Sequence, residues 1–103
     1  DFARVHALSK RCWAASVLKV DRFGNLITSL AVKDFDYLHQ CLFELQAGME
    51  RISLLVKSYA DAPPNEAVLI AGSAGYYEVV VNRGSAAKKL GLAAGSPVEL
   101  TVW

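Results

Sequence analysis

Between two apolar runs, Val17–Val20 and Leu26–Ala31, the chain inserts Asp21, Arg22, Phe23, Gly24 and Asn25. An acid, an aromatic ring and a carboxamide this close together on one turn suit a flat heterocycle that carries a positive charge. A ring such as Phe23 stacks on a base, which contributes about 1–3 kcal/mol. The Asn25 carboxamide can donate to and accept from a purine edge, and Asp21 attracts a cation. Plain turn chemistry accounts for the same letters, since Asp and Asn favour turns, Gly supplies positive φ and Phe fills a core. A second Gly-rich turn, GSAG over residues 72–75, also lies between strand-like runs, where Ser73 can present a hydroxyl or a backbone N–H. Two polar turns at the mouth of a small barrel make a ligand site. No Gly-rich loop leads with a lysine into a helix, so the pattern offers no phosphate cradle and suits an aminoacyl-type nucleoside better than a nucleotide.

The elements that must position these turns are short. The 103 residues make one domain, a size that buries roughly 60–65% of the surface its unfolded chain exposes. A hydrophobic content of 53% is high for a soluble chain of this length. Some apolar surface is therefore expected to meet a ligand, another domain or another subunit. Residues 1–15 mix basic and apolar side chains without a period, as a connecting arm would, leaving 16–103 as the domain. Asp34 offers an N-cap, and Phe35, Leu38, Cys41, Leu42 and Leu45 share one face of a helix expected to end near Gly48; partly loop is the alternative. Ile52–Tyr59 reads as strand, ADAPPNE as a polar turn, and Ala67–Ala71 and Tyr76–Val81 as further strands. Ser85 caps a short helix to Leu90, Gly91 ends it in the left-handed region, and Val98–Trp103 closes the chain. The fold class that follows is mainly β, a small antiparallel β-barrel with one or two short helices.

Composition excludes several functions. Eleven basic against ten acidic side chains give a net charge of +1, and the basic ones are dispersed, which argues against nucleic acid. No apolar stretch approaches the ~20 residues that cross a bilayer, and the first residues lack signal-peptide order. A cytoplasmic location is expected. Cys12 and Cys41 form no CxxC pair, and His6 and His39 are the remaining soft ligands, so no metal site is expected. Neither histidine has a carboxylate or serine at a catalytic spacing. Tyr76, Tyr77, Trp13 and Trp103 suit core or interface, and Lys88 and Lys89 a solvated helix face. Glu78, the one charge in its apolar strand, either faces solvent at a barrel edge or is a paired buried acid.

Taken in order, VDRFGNLIT, a strand ending in an aromatic, and SYADAPPNEAVLIAGSAGYYEVVVNRGSAAKKLGL with its closing strand resemble the C-terminal domain of the S-adenosylmethionine hydroxide adenosyltransferases, hydrolases related to the fluorinase and chlorinase. The resemblance runs from about Val17 to the end of the chain. It implies S-adenosylmethionine as substrate, water as co-reactant, adenosine and L-methionine as products, and no metal or further cofactor. It also implies that Asp21 and Ser73 hold the amino-acid end of that substrate, that Phe23 and Tyr59 sandwich the adenine, and that Asn25 hydrogen-bonds it. Backbone groups from Val81 to Arg83 would meet the other edge of the base. Two positions depart from the pattern. Ala74 stands where the halogenating relatives have an arginine, so halogenation is not implied, and Ser29 replaces the asparagine common after the threonine.

In that family a preceding domain supplies the ribose contacts and the Asp, Arg and His side chains associated with the reacting water. The site forms between that domain of one subunit and this domain of its neighbour in a homotrimer. The resemblance thus implies a chain that recognises adenine and methionine, holds no catalytic residue of its own, and is inactive alone.

A rival reading comes from the other end. SAAKKLGLAAGSPVEL resembles the helix and following strand of PDZ domains, which bind peptides by strand addition. The same letters are also a generic way to cap a helix and start a strand. A PDZ domain should in addition carry a Gly-rich carboxylate-binding loop early in the chain, and DRFGN puts an acid where that carboxylate must sit.

Overall fold

The β-branched and aromatic runs form strands. The computed structural model describes residues 5–9 and 11–103, and of His6, Ala7 and Ser9 the backbone alone. The strands are β1 (His6–Ser9), β2 (Cys12–Val20), β3 (Leu26–Ala31), β4 (Phe43–Ala47), β5 (Glu50–Ile52), β6 (Leu55–Val56), β7 (Ala67–Ala71), β8 (Tyr76–Val81) and β9 (Pro97–Val102), with one short helix, α1 (Ala86–Leu90). They hydrogen-bond in the order β5-β4-β9-β2-β3-β8-β7-β6, and β1 adds to β2. Among these strands every pair is antiparallel except β6 with β7. β5 comes back against β7, so the sheet curls into a half-barrel. Among the described residues no helix is long and apolar enough to cross a membrane.

Period-two alternation decides what each face buries. Leu26 and Leu30 of β3, Tyr77, Val79 and Val81 of β8, and Leu45, Val98 and Leu100 from β4 and β9 fill the main core. Val80 turns the other way and joins Ala62 and Val68 in a smaller cluster beneath the 58–62 segment. The register also aligns one row across four strands on that outer face: Lys19 opposite Ile27, Ile27 opposite Glu78, and Glu78 opposite Ile70.

Polar groups inside the fold are paired. The Tyr77 hydroxyl donates to the Phe35 carbonyl at 2.7 Å, and Thr28 Oγ1 donates to the Tyr77 carbonyl at 2.7 Å. Ser29 Oγ accepts from the buried Ser16 N–H at 3.1 Å. Its short hydroxyl thus ties β3 to β2.

Three expectations need correction. The helix over 34–48 does not form: two 3-10 turns, Val32–Asp34 and Asp36–Gln40, lead into β4. Phe35 and Leu38 do face the core, but as turn residues, and Leu42 is 78% exposed rather than on an apolar helix face. The competing signal was the alternation Phe43, Leu45, Ala47 inward with Gln46 outward, which prevails because β9 and β5 pair with that stretch on both sides. Ile52–Tyr59 is likewise not one strand. β5 and β6 are separated by Ser53 and Leu54, and Tyr59 opens a 3-10 turn, Tyr59–Asp61. Finally, the arm expected over residues 1–15 overlaps the sheet, since Cys12 to Ala15 pair with β9; Asp1–Arg4 and Lys10 lie outside the described residues.

The β2–β3 turn is buttressed by α1. Ser85 caps that helix, its hydroxyl accepting from Lys88 N–H at 3.2 Å, and Gly91 ends it at φ 68. Ala87 N–H donates to the Gly24 carbonyl at 2.9 Å. Gly24 itself sits at φ 83, and a Cβ there would fall on the Ser85 hydroxyl. Gly24→Ala is therefore expected to cost at least about 1 kcal/mol of stability from backbone strain and collision together. In a domain of this size that lowers the thermal midpoint by roughly 4–8 °C. Circular dichroism melts check it, and an unchanged midpoint would show that the turn tolerates displacement from α1.

Candidate functional site

The 21–25 turn is organised by one carboxylate. Asp21 Oδ1 accepts from the Phe23 and Asn25 backbone N–H groups, each at 2.9 Å. Asp21 Oδ2 accepts from Asn25 Nδ2 at 2.9 Å. Backbone bonds from Asp21 N–H to the Asn25 carbonyl and from Gly24 N–H to the Asp21 carbonyl, both 3.0 Å, close the loop. An ionised carboxylate can only accept, so the amide nitrogen of Asn25 must face it and Asn25 Oδ1 must face away. Asn25 is 5% exposed, and its Oδ1 is the buried side-chain oxygen or nitrogen that lacks a hydrogen-bond partner among the described residues. A buried acceptor left without a donor costs about 1–3 kcal/mol. A ligand N–H recovers it.

Asp21, Phe23, Asn25, Tyr59, Val81, Arg83 and Gly84 line one groove of about 550 Å³, inside the range of small-molecule sites. Phe23 is 65% exposed, so its ring is on the surface rather than in the core, and Arg22 lies over it at 5.0 Å from the ring centroid. Tyr59 comes from the 3-10 turn after β6, beside Asn25. Burial raises its phenol pKa, the Asn25 amide opposes that, and the charges of Asp21 and Glu78 add to the rise. Arg83 adopts φ 67 at the bend after β8. Asn82, next to it, donates from Nδ2 to the Ala62 carbonyl at 3.1 Å and holds the bend against the 58–62 segment.

Ser73 is not part of this groove. Leu26 opposes Val79 while Ala31 opposes Tyr76, so the 72–75 turn leaves the sheet at the far end of β3, where Gly75 O accepts from Val32 N–H at 2.9 Å. The two turns cap opposite ends of β3, so a ligand that meets both must be elongated. Sequence reading also missed Gly84, where a Cβ would come within 3.0 Å of Val81 Cγ1 and that side chain would have to give by a few tenths of an ångström. Elsewhere, His39 is exposed, and the His6 side chain lies outside the described residues. Among the described residues no three His, Cys, Asp or Glu side chains converge as metal ligands. The PDZ resemblance ends at α1 and β9, because β9 lies between β2 and β4 with no free edge for an added strand.

Residues 15–99 match the family model for the SAM hydroxide adenosyltransferase C-terminal domain. The (R)-S-adenosyl-L-methionine hydrolase of Thermus thermophilus is 39% identical over 84 residues, covering 82% of this chain and 30% of that protein. Among solved structures, an uncharacterized conserved protein from Thermotoga maritima superposes with a TM-score of 0.81 at 23% identity, over 98% of this chain and 40% of that one. A conserved hypothetical protein from Thermus thermophilus gives 0.67 at 35% identity, over 95% and 37% respectively. The chain thus spans about a third of the curated relative it matches.

Partial burial of Asp21 disfavours its charge, yet the hydrogen bonds from Asn25 and Phe23 and the charge of Lys19 outweigh that and hold its carboxyl below the usual carboxylate range. A depressed folded pKa contributes stability that is present above the ordinary value near 4 and is lost as pH falls through the folded one. The stability gap between the unaltered chain and Asp21→Asn is therefore expected to be widest at neutral pH and to narrow below about pH 4. Denaturant titrations from pH 7 to pH 3 read this directly. A gap that stays constant would contradict the assignment.

Proposed function

The chain belongs to the SAM hydroxide adenosyltransferase C-terminal domain family, and from that premise we propose that its turn groove binds the adenine of S-adenosylmethionine as one half of a hydrolase site. The observation that carries the reading is the buried Asn25 Oδ1, left without a donor by the Asp21 lock and lining a groove beside two exposed aromatic rings. Adenine offers an N6 amino donor to such an acceptor, and its N7 can accept from the second Asn25 Nδ2 hydrogen. Phe23 and Tyr59 supply faces for stacking. Val81 and Arg83 line the same groove, and in this proposal the backbone of Val81 to Arg83 meets the other edge of the base.

The reaction proposed for the complete enzyme is S-adenosylmethionine plus water giving adenosine, L-methionine and a proton. The water oxygen forms a bond to the ribose 5′ carbon, the bond from that carbon to sulfur breaks, and sulfur leaves with the electron pair as a neutral thioether. Because a sulfonium is already a good leaving group, alignment and exclusion of bulk water carry much of the catalysis, to which oriented binding contributes about 7–11 kcal/mol. This chain's share is to hold the base so that the 5′ carbon has a fixed position. Water activation and ribose contacts fall to an N-terminal domain of a neighbouring subunit, in a homotrimer, in the cytoplasm. No resident cofactor takes part.

Titration calorimetry of the chain with adenosine and with S-adenosylmethionine tests the reading. Asn25→Ala and Phe23→Ala are each expected to weaken adenosine binding by about tenfold, the equivalent of a lost hydrogen bond to a buried group or a lost stacking face, without unfolding the domain. Unchanged affinity in either variant would contradict the groove as an adenine site.

A further inference from the structure

Glu78 is the charged group that the adenine groove leaves unused. It lies at the centre of the outer row formed by Lys19, Ile27, Glu78 and Ile70. Leu26 pairs with Val79, so alternation sets Asn25 level with Val80 and makes Glu78 the next residue on that face toward the 72–75 turn. Such diagonal neighbours are about 7–8 Å apart. At its other side the Glu78 carboxylate rests on Gly72, where a Cβ would collide with Oε2. Glu78 therefore spans the interval between the groove and the Ser73 turn.

Its availability contrasts with that of Asp21. Asp21 already accepts three hydrogen bonds within its own turn, whereas Glu78 is half-buried and its carboxylate makes no hydrogen bond or ion pair among the described residues. Burial and then the charge of Asp21 push the Glu78 carboxyl above its usual range, and Lys19 opposes them incompletely. A half-buried acid facing a second acid is relieved by a cation placed between them. The orphaned Asn25 Oδ1 marks the adjoining groove as a place where a ligand docks.

We infer that Glu78 is a specificity residue that contacts the positively charged tail of the nucleoside and selects it over an uncharged nucleoside, while Asp21 serves as the lock of the turn. The inference rests on the adenine reading of the groove. An adenosine whose 5′ substituent carries a sulfonium and an ammonium, directed along β8 toward Ser73, brings its charge past this carboxylate. A Cβ at Gly72 would meet both that carboxylate and the Tyr76 carbonyl oxygen.

The test is calorimetry of the unaltered chain and of Glu78→Gln with S-adenosylmethionine and with adenosine. The unaltered chain is expected to bind S-adenosylmethionine more tightly than adenosine. Glu78→Gln should weaken S-adenosylmethionine by about tenfold, as loss of a charge-assisted contact does, and change adenosine by less than about twofold, which also reports that the groove is intact. If the unaltered chain binds adenosine but shows no preference for the cation, or if the variant weakens both ligands equally, Glu78 has no such role and the adenine reading stands. If the unaltered chain binds neither, the adenine reading falls and this inference with it.

Discussion

The Asp21 carboxylate, with three hydrogen bonds from Phe23 and Asn25, is the interaction on which the rest of the site depends. It does two things at once. It closes a tight turn between β2 and β3, and it fixes which atom of the Asn25 amide faces the groove. An amide held at one end by a carboxylate cannot flip, so the turn presents a buried acceptor of defined direction rather than a carboxamide that adapts to any ligand. The cost of that unpaired oxygen is tolerated because α1, through Ala87 and Ser85, holds the turn from behind.

The sheet distributes the remaining tasks by face. Inward residues of β3 and β8 build the core, and outward ones carry the row from Lys19 to Ile70 that runs beside the groove. That outer strip carries the carboxylates of Asp21 and Glu78 and the ammonium group of Lys19, with Arg83 lining the groove and Arg22 over the Phe23 ring. Asp21 commits its lone pairs to its own turn and Glu78 keeps its own. A cationic nucleoside and a neutral one are thus distinguished by different residues from those that read the base.

The mainly β fold class was legible in the sequence, because short apolar runs separated by turn residues follow one another along the chain. At the site, the turn chemistry of DRFGN was legible because it depends on neighbours a few residues away, whereas Tyr59 and Val81–Arg83 carried no local signal and were singled out through the family resemblance. The 34–48 region was misread because apolar residues at 35, 38, 42 and 45 fit a helical face, while the strand that won, β4, is chosen by its partners β9 and β5, which no local pattern contains. Ser73 shows the same limit from another side. Its turn resembles the 21–25 turn in composition, but the register of β3 against β8, invisible in either turn, sends the two to opposite ends of the sheet. Glu78 was noticed as an isolated charge, and its neighbours Asp21, Lys19 and Gly72 emerge from pairing and packing alone.

The proposed site depends on a buried acceptor, Asn25 Oδ1, that demands a donor from the base. The comparison of adenosine with inosine measures this most directly, since replacing the N6 amino group by an oxygen turns that donor into an acceptor and leaves the ring's stacking face almost unchanged. A site built to bond a donor rejects the analogue that lacks it, and adenosine is expected to bind at least about tenfold more tightly than inosine. Equal affinities, or a preference for inosine, would contradict the role assigned to Asn25 and to the carboxylate that orients it.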